Sequence, residues 1–129
     1  MKVLLDTHIW LWYVLGDKKL GKAHREIVSD EHTLLLLSPI SIWEAHLLIE
    51  HGRIKADRGA SIWLADALAK LPVVEARLTF AVAARSRTLQ IPHADPADLF
   101  IAATAAEMKI PLLTADRHLL ACPDIQCIK

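Results

Sequence analysis

The stretch Lys2-Val3-Leu4-Leu5-Asp6-Thr7-His8 places a carboxylate at the end of a short apolar run near the start of the chain. A second run, Leu34-Leu35-Leu36-Leu37, is apolar throughout. Short runs that are apolar on both faces are typical of strands inside a parallel sheet, where helices cover both sides. The two runs therefore predict neighbouring buried strands, and Asp6 marks the end of the first.

Helical segments alternate with these strands. Ser38 and Pro39 supply an N-cap and a first helical position, and Gly52 ends the helix after His51. Further helices are expected around residues 20–28, 60–71, 75–89 and 96–108, and further strands at 73–74, 112–114 and 125–128. This order, βα-βα-βα-α-β-β with short links, predicts an α/β fold in which a central parallel sheet is flanked by helices on both faces. We expect one domain, residues 1–129.

Acidic residues recur at the ends of the predicted strands and the starts of the predicted helices. Asp6 ends the first strand, and Glu44 lies one turn into the helix that follows the second. Asp98 lies in the first turn of a later helix, and Asp116 follows the strand at 112–114. The carboxyl ends of parallel strands share one edge, so these side chains should converge there. Oxygen ligands alone favour Mg²⁺ or Mn²⁺, which indicates a metal-dependent phosphoryl-transfer enzyme.

Each acid also has a purely structural interpretation. Asp6 stands where it could cap a helix that starts at Thr7. Glu44 follows Ser41 by three positions, which is the capping-box spacing. Asp116 could cap a short turn at residues 117–121.

Helix-start chemistry separates two nearby aspartates. Asp95 precedes Pro96 and has the N-cap position, so its side chain should bind backbone N–H groups. Asp98 falls at the third helical position, where the helix dipole favours the ionised form, and it is the predicted ligand. Thr114 precedes Asp116 on the same strand end and is predicted to orient a water molecule or a neighbouring carboxylate.

Composition limits the possible functions. The chain has 15 basic and 15 acidic residues, so no net charge attracts nucleic acid, and any RNA contact depends on local basic clusters and on the metal. A hydrophobic content of 53% suggests that part of the apolar surface lies in an interface. The longest apolar run, residues 9–15, is too short to span a bilayer, and Asp6 interrupts any signal-like segment. We expect a cytoplasmic protein whose two cysteines are reduced.

Several segments together resemble the PIN-domain ribonucleases, in particular VapC-type toxins of type II toxin–antitoxin pairs. They are Leu4-Leu5-Asp6-Thr7-His8, Ser41-Ile42-Trp43-Glu44, His93-Ala94-Asp95-Pro96-Ala97-Asp98, Ile101-Ala102-Ala103-Thr104-Ala105 and Leu113-Thr114-Ala115-Asp116. The resemblance covers nearly the whole chain. It departs at Leu99, where many relatives have arginine, and at Ala97, where an aromatic residue is frequent.

The resemblance implies a Rossmann-like PIN fold and Mg²⁺- or Mn²⁺-dependent endoribonuclease activity. It also implies a homodimer and a cognate antitoxin that blocks the site. The family's acidic quartet corresponds to Asp6, Glu44, Asp98 and Asp116, and its hydroxyl position to Thr114.

Two other functions stay open at this point. A PIN-like binding module without activity would keep the fold and lack turnover. A phosphatase with Asp6 as nucleophile also places an aspartate after the first strand, but it usually has a second aspartate two positions later, where this chain has His8.

Overall fold

The computed structural model describes residues 1–128, which form one five-stranded sheet in the order β3-β2-β1-β4-β5. Every neighbouring pair of strands in it is parallel. In chain order the elements are β1 (Lys2–Leu5), α1 (Thr7–Leu15), α2 (Lys22–Ser29), β2 (Leu34–Leu37), α3 (Pro39–Glu50), α4 (Ala60–Lys70), β3 (Val74–Glu75), α5 (Phe80–Ser86), α6 (Pro96–Met108), β4 (Leu112–Leu113), α7 (Arg117–Leu120) and β5 (Cys127–Ile128).

The central strand β1 sets the alignment of the sheet edge. Leu5 is in register with Leu37 of β2 on one side and with Leu113 of β4 on the other. The residues that follow these three positions, Asp6, Ser38 and Thr114, therefore leave the sheet at the same level.

Two apolar layers cover the sheet, which confirms the predicted α/β architecture. Successive side chains of a strand point to opposite faces. Accordingly, Val3 and Leu5 pack in one cluster with residues of α1 to α4, whereas Leu4 packs in the other with residues of α5 to α7. Burial on both faces explains why the strands contain almost no polar residues.

The helix α1 appeared in the sequence analysis only as the helix that Asp6 could cap at Thr7, and it was not placed in the predicted order of elements. Its residues are apolar nearly all round, so they carry no helical periodicity that would distinguish them from a buried strand. In the structure Ile9 and Trp10 are fully buried, and Gly16 ends the helix in the left-handed conformation at φ 65°. Two helices follow each of β1, β2 and β3, and one follows β4, so the predicted order of elements was wrong.

The prediction was also wrong for residues 73–89. The strand lies at Val74–Glu75, one residue later than expected, and the helix extends only from Phe80 to Ser86. The backbone N–H of Ala76 still donates to the carbonyl of Leu37 at 2.9 Å, so pairing with β2 holds this segment extended. Tertiary pairing here overrides a local helical preference.

The other predicted elements lie close to their expected positions. Ser38 accepts a hydrogen bond from the N–H of Ile40 at 3.0 Å and caps α3, as predicted. Gly52, just beyond that helix, has φ 73°. Across residues 1–128, no helix has the length and apolar character needed to cross a membrane.

One helix end carries a strained residue. Lys109 ends α6 with φ 55° and ψ 44°, a left-handed conformation that costs an L-residue roughly 1–2 kcal/mol and glycine almost nothing. We expect Lys109→Gly to unfold with a free energy about 0.5–1 kcal/mol higher than Lys109→Ala, because glycine's unfolded-state entropy offsets part of the gain. Both variants remove the same charge. Urea denaturation of the pair measures the difference, and equal midpoints would show that the position is unstrained.

Candidate metal centre at the carboxyl edge of the sheet

Asp6 lies at the centre of the candidate site because it follows the central strand. It is only 4% exposed. Its Oδ1 accepts a hydrogen bond from the Thr7 N–H at 2.9 Å, and its Oδ2 accepts one from the Thr114 hydroxyl at 2.7 Å. Asp6 does occupy the N-cap position of α1, but its second oxygen binds a residue more than 100 positions away in sequence. Capping alone therefore does not explain this carboxylate.

Thr114 joins two of the predicted site residues. Its fully buried hydroxyl donates to Asp6 and accepts from the backbone N–H of Asp116 at 3.0 Å. The hydroxyl thus fixes the orientation of the Asp6 carboxylate and the direction in which the chain leaves β4. The prediction that Thr114 orients a neighbouring carboxylate agrees with these contacts.

Glu44 reaches the site from α3 through a second hydroxyl. The Thr7 Oγ1 donates to Glu44 Oε1, and it lies 2.7 Å from the Ser41 Oγ. Because the only proton of the Thr7 hydroxyl goes to the carboxylate, Ser41 donates in the second contact. Ser41 therefore lies buried inside α3 as a donor, and the capping-box interpretation of Ser41 and Glu44 is wrong.

Asp95 and Asp98 have the distinct positions that the sequence predicted. Asp95 is the N-cap of α6, and its Oδ1 accepts from the backbone N–H of Asp98 at 3.1 Å. Asp98 lies in the first turn and is half-buried. Within residues 1–128, no hydrogen-bond donor contacts the carboxylate of Asp98.

Asp116 performs the capping role that the sequence had left open. Its Oδ1 accepts from the backbone N–H groups of His118 at 2.7 Å and Leu119 at 3.3 Å, at the start of α7. Both contacts use the same oxygen. The cap therefore leaves Oδ2 as the atom of Asp116 with which a ligand could interact.

The Asp98 carboxyl lies within the electrostatic influence of the other acids. Burial, and then the neighbouring charges of Asp95, Asp6, Asp116 and Glu44, raise the pKa of Asp98 from 3.8 to about 7. Four carboxylates from four different segments therefore act on Asp98 at once. A cation placed among them would remove this repulsion.

The two inner acids show the same tendency. Burial raises the pKa of Asp6, and the hydrogen bond from Thr114 only partly counteracts it. Burial also raises the pKa of Glu44, with smaller increases from Asp6 and Asp95 and a decrease from the Thr7 hydroxyl. The two hydroxyl donors thus stabilise the ionised form of carboxylates that their surroundings would otherwise protonate.

The donor set fits a hard divalent cation. In the part of the chain that the structure describes, no group of three or more His, Cys, Asp or Glu side chains is arranged to hold an ion directly. Mg²⁺ keeps several of its waters and is commonly bound by only one or two carboxylates, so it does not require such a group. The carboxylates of Asp98, Asp6, Glu44 and Asp116 offer only oxygen ligands, the type that Mg²⁺ and Mn²⁺ prefer.

Sequence reasoning did not identify the contributions of Thr7, Ser41 and His8. Thr7 and Ser41 orient Glu44. The only sign of this role in the sequence was that Thr7 follows Asp6 and that Ser41 lies one turn before Glu44. His8 is exposed, and its charge lowers the pKa of both Asp6 and Glu44. It also lines both cavities that flank the acids.

Comparison with known proteins places these observations in a family. A model of the PIN domain matches residues 3–123 of the chain. Ribonuclease VapC22 of Mycobacterium tuberculosis (strain ATCC 25618 / H37Rv) is 32% identical over 119 residues, covering 91% of this chain and 88% of the relative.

Solved structures share the fold at lower identity. A chain of VapBC2 from Rickettsia felis, bound to a DNA fragment from their promoter, aligns with a TM-score of 0.72 at 16% identity, covering 99% of this chain and 98% of that one. VapC20 of Mycobacterium tuberculosis, a Sarcin-Ricin loop cleaving toxin, aligns with a TM-score of 0.63 at 18% identity, covering 96% and 98%.

The raised pKa of Asp98 gives a stability prediction with a definite sign. The folded protein favours the protonated carboxyl, so this contribution to stability is full below about pH 4 and is lost as the pH rises through about 7. Without metal, Asp98→Asn should therefore melt above the wild type near pH 8, and the two should converge near pH 4. Melting curves at both pH values in EDTA measure the effect.

The exposed Asp57 provides the matched control, because it lies in a surface loop outside the acid cluster. We expect Asp57→Asn to change the melting temperature little at either pH. If Asp98→Asn did not raise the melting temperature near pH 8, burial and the neighbouring acids would not destabilise the ionised Asp98 carboxylate.

Proposed function

Because the chain belongs to the PIN-domain family, we propose that it is an endoribonuclease toxin of the VapC type, which hydrolyses RNA phosphodiester bonds. The observation that supports this most directly is the cluster of acids at the carboxyl edge of the sheet, where hydroxyl groups orient Asp6 and Glu44 and where burial and the neighbouring carboxylates raise the pKa of Asp98. Such a cluster costs stability unless it serves a cationic ligand. The 32% identity to a curated VapC ribonuclease supports the choice of RNA as substrate.

The proposed cofactor is Mg²⁺ or Mn²⁺, held by Asp6, Glu44, Asp98 and Asp116. A divalent cation in such a site supplies a nucleophile near neutral pH and offsets the charge that develops on the phosphate. The chain's own residues orient the ligands. Thr114 holds Oδ2 of Asp6, and the Thr7 hydroxyl holds Oε1 of Glu44, so one oxygen of each carboxylate is fixed by a hydroxyl.

The contacts of Asp6 disfavour the phosphatase alternative. A nucleophilic carboxylate must reach a phosphorus atom, but Asp6 is 4% exposed and both its oxygens accept hydrogen bonds. The same contacts suit a ligand, which needs only an outward lone pair on an oriented oxygen.

We also propose a cognate antitoxin and a homodimer. The chain also aligns with VapBC-5 from Mycobacterium tuberculosis, a member of the VapBC family of toxin-antitoxin systems, with a TM-score of 0.66 at 16% identity. An antitoxin segment carrying Arg or Lys would insert between the acids and form charge-assisted hydrogen bonds in place of the metal. Phe80 is 99% exposed and Leu78 is 42% exposed, so apolar surface outside the site is available for a second subunit.

Asp95 and Asp98 allow a direct test, because they are three residues apart and have different proposed roles. Asp98→Ala removes a ligand and should lower RNA cleavage on the order of 100-fold or more. Asp95→Ala removes an N-cap, which should cost roughly 0.5–2 kcal/mol of stability while cleavage remains measurable. Cleavage of total RNA with added Mg²⁺ and urea denaturation of both variants measure the two effects.

Addition of EDTA should stop cleavage by the wild-type protein, and added Mn²⁺ should restore it. A purified protein that cuts no RNA with either ion would be the inactive binding module instead. If Asp95→Ala were the inactive and fully stable variant, the assignment of ligand and cap would be reversed.

A further inference from the structure

A groove runs from the acid cluster along one face of α3. The face consists of residues at helical spacing, and they are Trp43, Glu44, Leu47, Leu48 and His51. The start of α6 also lines the groove, with Asp95, Pro96 and Ala97, and so does the start of α1, with Thr7 and His8. Because Glu44 and Thr7 belong both to the groove and to the acid cluster, the groove opens directly onto the site.

Trp43 is an exposed tryptophan that lines this groove. Its side chain is 55% exposed, whereas Trp10 is completely buried. Trp43 directly precedes Glu44 in α3, and both side chains line this groove. An exposed indole next to a polar site suits stacking, because every nucleobase offers a flat π-face.

Arg53 supplies a positive charge at the far end of the groove. The chain turns at Gly52, beyond α3, and Arg53 lines the groove from an exposed position. No ion pair within residues 1–128 includes its guanidinium. An arginine that has no carboxylate partner and lines the same groove as the proposed metal ligand Glu44 is suited to binding a phosphate of the RNA.

The size of the groove limits what can occupy it. Its volume is about 340 Å³, at the lower end of the range for small-molecule sites, and its walls include the apolar Leu47 and Leu48. A base paired within a duplex is stacked on both faces and cannot enter a pocket of this kind. An unpaired base of single-stranded RNA can turn out of the strand and enter it.

We propose that this groove is a nucleobase subsite, in which the base of an unpaired nucleotide next to the cut stacks on Trp43 while Arg53 binds its flanking phosphate. The proposal rests on the ribonuclease function above and identifies the part of the protein that selects the sequence at the cut. Trp43 and Arg53 have separable roles. Stacking discriminates between bases, whereas a phosphate contact is the same for every sequence.

The first test measures cleavage of a randomised single-stranded RNA 12-mer, with the cut sites read by sequencing. Trp43→Ala should lower kcat/KM roughly 5- to 150-fold, the range expected from base–aromatic stacking, and should flatten the base preference beside the cut. Trp43→Phe should restore most of both. Arg53→Gln should weaken cleavage of all sequences alike and reduce the slope of log kcat/KM against log salt by about 0.7.

Met108→Ala is the matched control, because Met108 is an exposed large apolar residue that does not line the groove. It should leave rate and preference unchanged. An unaltered base preference in Trp43→Ala would overturn the proposal while leaving the ribonuclease function intact. The proposal would also be overturned if Trp43→Ala cut RNA normally but escaped inhibition by its co-expressed antitoxin, since the groove would then be a protein-binding site.

A second test does not depend on cleavage. In the Asp98→Asn background, a randomised RNA hexamer should quench part of the tryptophan fluorescence, and an abasic hexamer with the same phosphates should quench much less. Adding Trp43→Phe should remove that difference. If both hexamers quench equally, no base stacks on Trp43, even if the wild-type protein proves to be a ribonuclease.

Discussion

The structure depends on one constraint, the burial of the Asp6 carboxylate at the end of the central strand. Removing an ionised group from water is costly unless donors or a cation compensate. The fold supplies two donors, the Thr7 backbone and the Thr114 hydroxyl, from segments that only the sheet brings together. Because β1 pairs with β4 directly before these residues, the register of the sheet and the orientation of the carboxylate depend on each other.

The hydrogen-bond donors of the chain offset only part of the cost of burying these carboxylates. The hydroxyl of Thr114 lowers the pKa of Asp6, but burial still dominates, and the pKa of Asp98 reaches about 7. Neutral residues in place of these acids would stabilise the fold, and proteins keep such destabilising groups where function needs them. A metal ion or a cationic antitoxin side chain would relieve the remaining repulsion between the carboxylates. The two proposed ligands would therefore compete for the same site.

The hydroxyl network also connects the acid site with the groove on α3. Ser41 donates to Thr7, and Thr7 donates to Glu44, which lines the groove beside Trp43. The helix α3 therefore carries both the proposed metal ligand Glu44 and the proposed base platform Trp43. It also carries Ser41, which holds the Thr7 hydroxyl that donates to Glu44. The same rigid helix would then hold the metal and select the base, which favours accurate placement of the RNA.

Local chemistry in the sequence determined β1, β2, the caps at Ser38 and Asp95 and the distinct positions of Asp95 and Asp98, because these features depend on neighbours within a few residues. Two other features depended on tertiary packing. The apolar helix α1 has no periodicity that would reveal it, and the segment up to Ala76 is extended because it pairs with Leu37. The sequence likewise indicated which carboxylates would meet at the sheet edge. Only the tertiary structure decided which hydroxyls orient them, because those contacts join residues far apart along the chain. The exposure of Trp43 likewise depends on how α3 packs against the rest of the fold.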